Sequence, residues 1–495
     1  MRRSVRDTFF PALLAVVSAA LGCGSDGAPP PPGRIYFPIA LEISADSAED
    51  GGDYLVVANS NFDLRYNAGS LQAYDLDRLN VALGDHCGDL SIDDRSDCGI
   101  IPSEDIRDDL NPGIQPVDGL LVSEVLTGSF ADGLGLAPSG DGSRLYLPVR
   151  SEGNLSHVDM SATGVLTCGA MEDSEALVDG DRHTCTDTFR SAEDGAARED
   201  GLLVPPDPVS LVVGARADRL DGATGNYIVM AHRGGRMSLF SETIDGARPA
   251  LVDTLDGLPN ELVEFASDPV DGSLWVATAF DPVIPRVGVA LGQTADNSFL
   301  FRASDLAVTG VDTGSDILGD TRVVRFDPRP DVRRAYVLAR RPRAVLVVDV
   351  EGSEGAIDVR AQIPVGFGPS RMEVEHFDNV DGDGMPDTGP SFTLAFVTNF
   401  DSRDLFVIDL DAERLVGIVR SLGGPFELAV DVTRKRVYVG DFRSSVLRVL
   451  DLQPMFDCLI DDDFEPPDPT DDTSVGCSPA TLGFVGRPRA VQELI

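Results

Sequence analysis

From residue 34 onward, short runs of Val, Leu, Ile and Tyr alternate with clusters of Gly, Asp, Pro and Ser, and apolar residues seldom recur at helical spacing. Runs of this kind, bounded by turn residues, predict strands joined by hairpins. The clearest repeat needs no gap: residues 334–349 (RAYVLARRPRAVLVVD) lie over residues 436–451 (RVYVGDFRSSVLRVLD). Each reads as a strand, a polar turn and a second strand ending in Asp. The same unit recurs where residues 54–59 lead to 71–75, where 145–147 lead to 157–159, and where 394–399 lead to 405–409. Weaker copies begin at Tyr227 and Leu274. A third apolar run precedes most copies, as at 38–44, 134–142 and 425–431, and a fourth follows, as at 357–363 and 415–419.

Aligned on a central apolar residue, the copies fall at Val56, Tyr146, Val229, Trp275, Tyr336, Phe396 and Tyr438. The shortest interval, Phe396 to Tyr438, is 42 residues, within the ~40–45 residues of a propeller blade. Four strands per copy and seven copies predict an all-β chain: a seven-bladed β-propeller of four-stranded antiparallel blades over residues 34–495. The pattern of Tyr-Val-x-Asn followed by Val-Ile-Asp-Leu resembles the YVTN-type β-propeller repeat family in a degenerate way over most of this span. Val397-Thr398-Asn399 is the closest local match, with Phe396 in place of tyrosine. The resemblance implies a ring of blades around a channel. It says little about activity, because such scaffolds carry enzymes, binders and surface proteins alike. The final residues, 486–495, resemble another first strand and are expected beside the N-terminal blade, closing the ring so that no sheet edge is exposed.

The N-terminus has a different grammar. Arg2, Arg3 and Arg6 precede an apolar stretch, residues 9–21, broken only by Pro11 and Ser18 and ending in Ala19-Ala20-Leu21-Gly22-Cys23. This stretch is shorter than the ~20 residues a membrane-spanning helix requires. It resembles a lipoprotein signal with its lipobox, departing from the commonest pattern at Ala20, where leucine is usual. The resemblance implies that residues 1–22 are a signal peptide, that Cys23 carries lipid including palmitate, and that the product faces the cell envelope on a membrane anchor. The alternative is a plain signal peptide. Residues 23–33, rich in Pro and Gly, read as a tether.

Seven cysteines leave one over in an exported protein, and lipidation of Cys23 accounts for it. The others form local pairs, Cys87–Cys98, Cys168–Cys185 and Cys458–Cys477, suited to disulfides in an oxidising compartment. Each pair follows a strand ending in Asp75, Asp159 or Asp451, so each staple is expected to hold a long loop between blades. The 82 acidic against 40 basic residues, a net charge of −42, exclude nucleic acid as a partner. They equally exclude electrostatic docking on anionic lipid, leaving the N-terminal lipid as the membrane contact.

The sharpest candidate for chemistry is the loop around residues 378–387. Asn379, Asp381, Asp383 and Asp387 place oxygen ligands at positions one, three, five and nine, with Gly384 at six, as a calcium loop requires. Pro390 stands where an EF-hand has glutamate, so a solvated acidic hairpin loop is the alternative. The acidic residues between Cys458 and Cys477 lack this spacing and read as a solvated loop. Asn59, His232, Asn399 and Asp441, with Arg340 nearby, are expected at strand ends facing the channel. No Gly-x-Ser-x-Gly, His-Glu-x-x-His or phosphate-cradling glycine loop occurs. The expected function is therefore a binding or interaction module for an envelope protein, peptide or glycan, with calcium in a structural role. The alternative is a lactonase-like propeller hydrolase with a channel active site.

Overall fold

The computed structural model describes residues 28–44, 53–103, 113–139, 141–168, 182–185, 189–191, 203–215, 226–242, 248–292, 297–310, 319–350, 356–378, 380, 389–460, 464–471 and 473–489. Within them the chain is nearly all β, with α-helix only at Leu76–Cys87, Ile92–Arg95 and Gln453–Ile460. The strands form four-stranded antiparallel runs, each a simple meander.

The first run pairs Pro38–Ile43, Tyr54–Asn59, Gly69–Asp75 and Leu121–Thr127. The second pairs Gly135–Ser139, Gly142–Val149, Asn154–Met160 and Leu166–Thr167. The third holds Pro208–Ala215, Asn226–His232, Arg236–Ser241 and Ala250–Leu255. The fourth holds Leu262–Ser267, Leu274–Thr278, Val283–Ala290 and Phe299–Thr309. In the fifth come Gly319–Phe326, Arg334–Arg341, Arg343–Asp349 and Ala356–Pro364. The sixth follows with Pro369–Phe377, Phe392–Asn399, Asp404–Asp409 and Arg414–Val419. The seventh ends the series with Pro425–Asp431, Arg436–Asp441, Val446–Asp451 and Ala480–Val485.

The core lies between neighbouring runs. Leu145 and Val158 of the second run pack with Val56 and Leu71 of the first, and Tyr336 and Val345 of the fifth with Met372 and Phe406 of the sixth. Tyr438 and Val449 of the seventh pack with Leu55 and Tyr74 of the first, so the last run meets the first. A strand held this way is buried on both faces and needs apolar residues at successive positions. All seven residues on which the repeat aligns, Val56 to Tyr438, sit on second strands and are 0% exposed. Their register in sequence is their register in space.

The three disulfides form as paired in the sequence, Cys87–Cys98, Cys168–Cys185 and Cys458–Cys477. The loops they staple are not between runs, as expected. Those of the first and seventh runs join the third strand to the fourth, and that of the second interrupts its fourth strand, which resumes at Arg190–Ser191. Each insertion reaches back to the edge of the preceding run. Gly99–Ile101 pairs in parallel with the last strand of the seventh run, and His183–Thr184 with Leu121–Thr127. Gly476 bridges Gly417 at the sixth. An open edge strand leaves its backbone groups unsatisfied and available for aggregation, and the insertions supply the missing partners.

Of the expected closing strand, residues 490–495 lie outside the described residues. Among the described residues, 486–489 form no strand. Gly486 N donates to Ile100 O at 2.9 Å, and the Arg489 guanidinium lies 4.4 Å over the Phe37 ring. Closure rests on the contact between the leading strands of the first and seventh runs. The latter part of the expected tether, residues 28–33, is docked on the first run, where Gly33 N donates to Glu124 Oε2 at 3.0 Å.

Candidate functional site

A bulge recurs near the start of the leading strands. Pairing skips Ile39, Val209, Val263, Arg322, Ser370 and Phe426 in the first, third, fourth, fifth, sixth and seventh runs. A bulge bends the strand and re-aims the extra side chain. Val209, Val263, Arg322, Ser370 and Phe426 thereby line one cavity of about 270 Å³. Turns after the second strands add Arg233, Ala279 and Phe280, the end of the fifth run's second strand adds Arg340, and the approach to the second run adds Asp132.

A second cavity of about 320 Å³ adjoins the first and shares Asp132 and Arg371 with it. Leading strands supply its charges: Glu42, Glu264, Arg325, Glu373 and Glu427. Arg325 bridges Glu264 at 2.5 Å and Glu373 at 2.6 Å. Arg371 holds Glu427 at 3.0 Å and approaches Glu264 at 3.7 Å. Charge-assisted pairs like these hold buried ions in place where either alone would be costly.

Glu42 forms no ion pair among the described residues. Burial, reinforced by Glu373 and Glu427, pushes its carboxyl up to about 8. Burial also pushes Glu427 up to about 7 against the pull of Arg371, and Glu375 to about 7 with the help of Glu373. Glu42 and Glu427, both lining the second cavity, are thus carboxyls held well above their ordinary range. The mouth is the reverse. Burial and the neighbouring Arg340 push Arg322 down to about 10, although Asp320 pairs with it at 2.5 Å. Burial lowers Arg340 as well, and its Nε donates to Pro369 O at 2.9 Å.

Of the polar residues expected at the channel, only Arg340 reaches this cavity. Asn59, His232, Asn399 and Asp441 hold one equivalent position, the last residue of the second strand, and are buried inside their own runs. Each satisfies local groups. Asn59 Oδ1 accepts from Tyr36 N at 2.9 Å, and Asn399 donates to Asp404 at 2.9 Å. Asp441 accepts from Gly423 N at 2.6 Å. His232 Nε2 meets Ser238 Oγ at 2.9 Å, and burial lowers its pKa to about 4. None of the four lines this cavity. The leading-strand charges that line the two cavities were legible inside otherwise apolar segments, as Arg371 and Glu373 are in Arg371-Met-Glu373-Val-Glu375 with its period of two.

Cys23 and the loop residues Asn379, Asp381, Asp383 and Asp387 lie outside the described residues. The loop's ends are in place: Val380 N donates to Pro390 O at 3.2 Å. Among the described residues, the one grouping with metal-ligand proximity is His86 with Cys87 and Cys98, whose sulfurs are committed to their disulfide.

No protein-family model matches the chain, and no curated protein matches it. Solved structures with a similar arrangement include a functionally unknown protein from Desulfotomaculum acetoxidans, at 10% identity and a TM-score of 0.43, covering 77% of this chain and 89% of that one. A candidate 6-phosphogluconolactonase from Bacteroides fragilis shows 12% identity and a TM-score of 0.46, with 90% and 96% covered. A protein from Lactobacillus plantarum shows 14% identity and a TM-score of 0.41, with 76% and 82% covered. Each is a distant likeness.

Proposed function

We propose that the chain is a lipid-anchored cell-envelope protein built as a closed seven-bladed β-propeller, and that it works as a binding module taking its ligand at the channel mouth. The seven meanders, with a core at each junction including that of last to first, support the ring. The observation that carries the binding role is the cavity at the bulged leading strands, to which several runs contribute one side chain each. Its residues bind and orient, and the partner is an envelope peptide, protein or glycan group that enters the mouth. Detergent-solubilised full-length protein tests this through retention of fractionated envelope ligands. Val263→Trp should fill the cavity and abolish retention without lowering the melting temperature, and equal retention by this variant would refute the role.

A second reading, a channel hydrolase of lactonase type, is favoured by Glu42 and Glu427, whose raised carboxyls suit proton transfer near neutrality. Lactone turnover lost in Glu42→Gln would establish it, and no turnover by the wild type would dismiss it. Lipidation rests on the sequence around Cys23: Cys23→Ser should lose palmitate labelling, and unchanged labelling would contradict the anchor. Calcium rests on the spacing of Asn379, Asp381, Asp383 and Asp387. Millimolar calcium should raise the melting temperature by linkage, and an increment that survived Asp381→Ala with Asp383→Ala would place the ion elsewhere.

A further inference from the structure

We propose that the channel mouth is an oxyanion site, in which Arg322 and Arg340, flanked by Arg233 and Arg371, hold the carboxylate or phosphate group of a small molecule. The inference rests on the reading of the mouth as the binding face and names its ligand chemistry. Elsewhere this strongly acidic chain surrounds its arginines with carboxylates. Arg144 is held by Asp159 and Glu242, and Arg329 by Asp327 and Asp411. At the mouth the ratio inverts. Four guanidiniums line the cavity, against Asp132 and Glu261, and Asp132 is already engaged by Arg150 at 3.3 Å.

Their donors are incompletely used. Among the described residues, the Arg340 side chain bonds one carbonyl oxygen, Pro369 O at 2.9 Å. The Arg233 side chain makes no hydrogen bond or ion pair there. Arg322 gives Nη2 to Asp320, while its buried Nε has no acceptor. Arg371 spends Nε on Glu427 and Nη1 on Ser370 O at 3.4 Å. Mutual repulsion in a partly buried cavity adds to the cost of this arrangement, and an anion relieves both the repulsion and the missing acceptors. A guanidinium fork matches the two oxygens of a carboxylate or phosphate, which an ammonium cannot do. Phe426 and Phe280, the latter 69% exposed, add apolar lining for the rest of the ligand.

Calorimetry on the full-length protein in detergent, with citrate and inorganic phosphate as probes, tests the proposal. Sodium chloride of matched ionic strength and glucose serve as controls. Saturable binding of either anion above chloride is expected, citrate alone pointing to a carboxylate ligand and phosphate alone to a phosphorylated one. Arg340→Gln should weaken binding at least about tenfold, and Arg340→Lys should fall between, keeping the charge and losing the fork. Arg322→Gln is the second variant, with near-ultraviolet circular dichroism confirming that each remains folded. No saturable binding above chloride, or equal binding by the wild type and both Gln variants, overturns the oxyanion site. If anions fail while Val263→Trp still abolishes envelope-ligand retention, only the oxyanion claim falls. If both fail, the mouth is not the binding face.

Discussion

The fifth and seventh runs carry hairpins that align without a gap, and they diverge where the hairpin turns. Tyr336 and Tyr438, Val337 and Val439, and Val347 and Val449 are equivalent pairs, and all six are 0% exposed. At the turn, Arg340 stands opposite Phe442, and at the bulge of the leading strand Arg322 stands opposite Phe426. The fifth run's pair lines the mouth with charge. The seventh run's pair joins an aromatic cluster, in which Phe442 lies 4.8 Å from Phe37, 5.4 Å from Phe62 and 5.8 Å from Phe426. Residues clamped between two runs answer to packing, which asks the same of every run. Residues at the mouth answer to whatever enters it, and there each run differs.

The equivalence of the two hairpins breaks first under core substitution. Tyr336→Ala and Tyr438→Ala should each cost about 3–5 kcal/mol in urea unfolding, through lost burial and a cavity left behind. Each hydroxyl is also hydrogen-bonded, Tyr336 donating to Asp327 at 2.6 Å and Tyr438 accepting from Asn80 at 2.8 Å, so the two losses should be comparable. A cost below about 1 kcal/mol at either site, the range of an ordinary surface change, would mean that the alignment does not mark the core.

Removing the Cys87–Cys98 bond with serines comes next, at about 2–4 kcal/mol, because the closed loop restricts the unfolded chain. It should also speed hydrogen exchange in Ala480–Val485, whose edge Gly99–Ile101 covers, and leave Pro369–Phe377 unchanged. Uniform acceleration would show that the insertion does not act as a local strap.

A smaller effect is expected from pH. Glu42 has a raised carboxyl, ordinarily near 4.5 and here about 8. Between those values the folded protein keeps a proton that the unfolded chain has lost, so its contribution is full below 4.5 and fades as pH rises through 8. Stability should therefore decline from pH 5 to 9. Glu42→Gln should flatten the decline and be more stable than the wild type at pH 9. Some slope should remain, since Glu375 and Glu427 contribute with the same sign. An unchanged slope in Glu42→Gln would mean that this carboxyl ionises as it does in water.

The sequence carried the hairpins well, since a strand buried on both faces must be apolar at successive positions, and Val56, Tyr146, Val229, Trp275, Tyr336, Phe396 and Tyr438 are all such residues. The disulfides were legible because each pair is local. Where the stapled loops lie was not, because their backbone pairing with the preceding run leaves little trace in side-chain pattern. The same holds for the mouth. Asn59, His232, Asn399 and Asp441 look like site residues because they are polar at strand ends, yet each is buried and bonds to groups beside its own strand. Arg322 reaches the cavity through a bulge, and a one-residue slip of pairing is set by the partner strand and has no signature of its own. Charges at alternate positions of the leading strands were the available signal.

If packing positions carry the fold and mouth positions carry the ligand, an exchange between the two runs is the most direct test. The double variant Arg322→Phe with Arg340→Phe gives the fifth run the mouth residues of the seventh. Its melting temperature and its binding of citrate and phosphate should be measured together. The expected result is a folded protein melting within a few degrees of the wild type that no longer binds either anion above the chloride control. Collapse of the fold, or anion binding that survives the exchange, would contradict it.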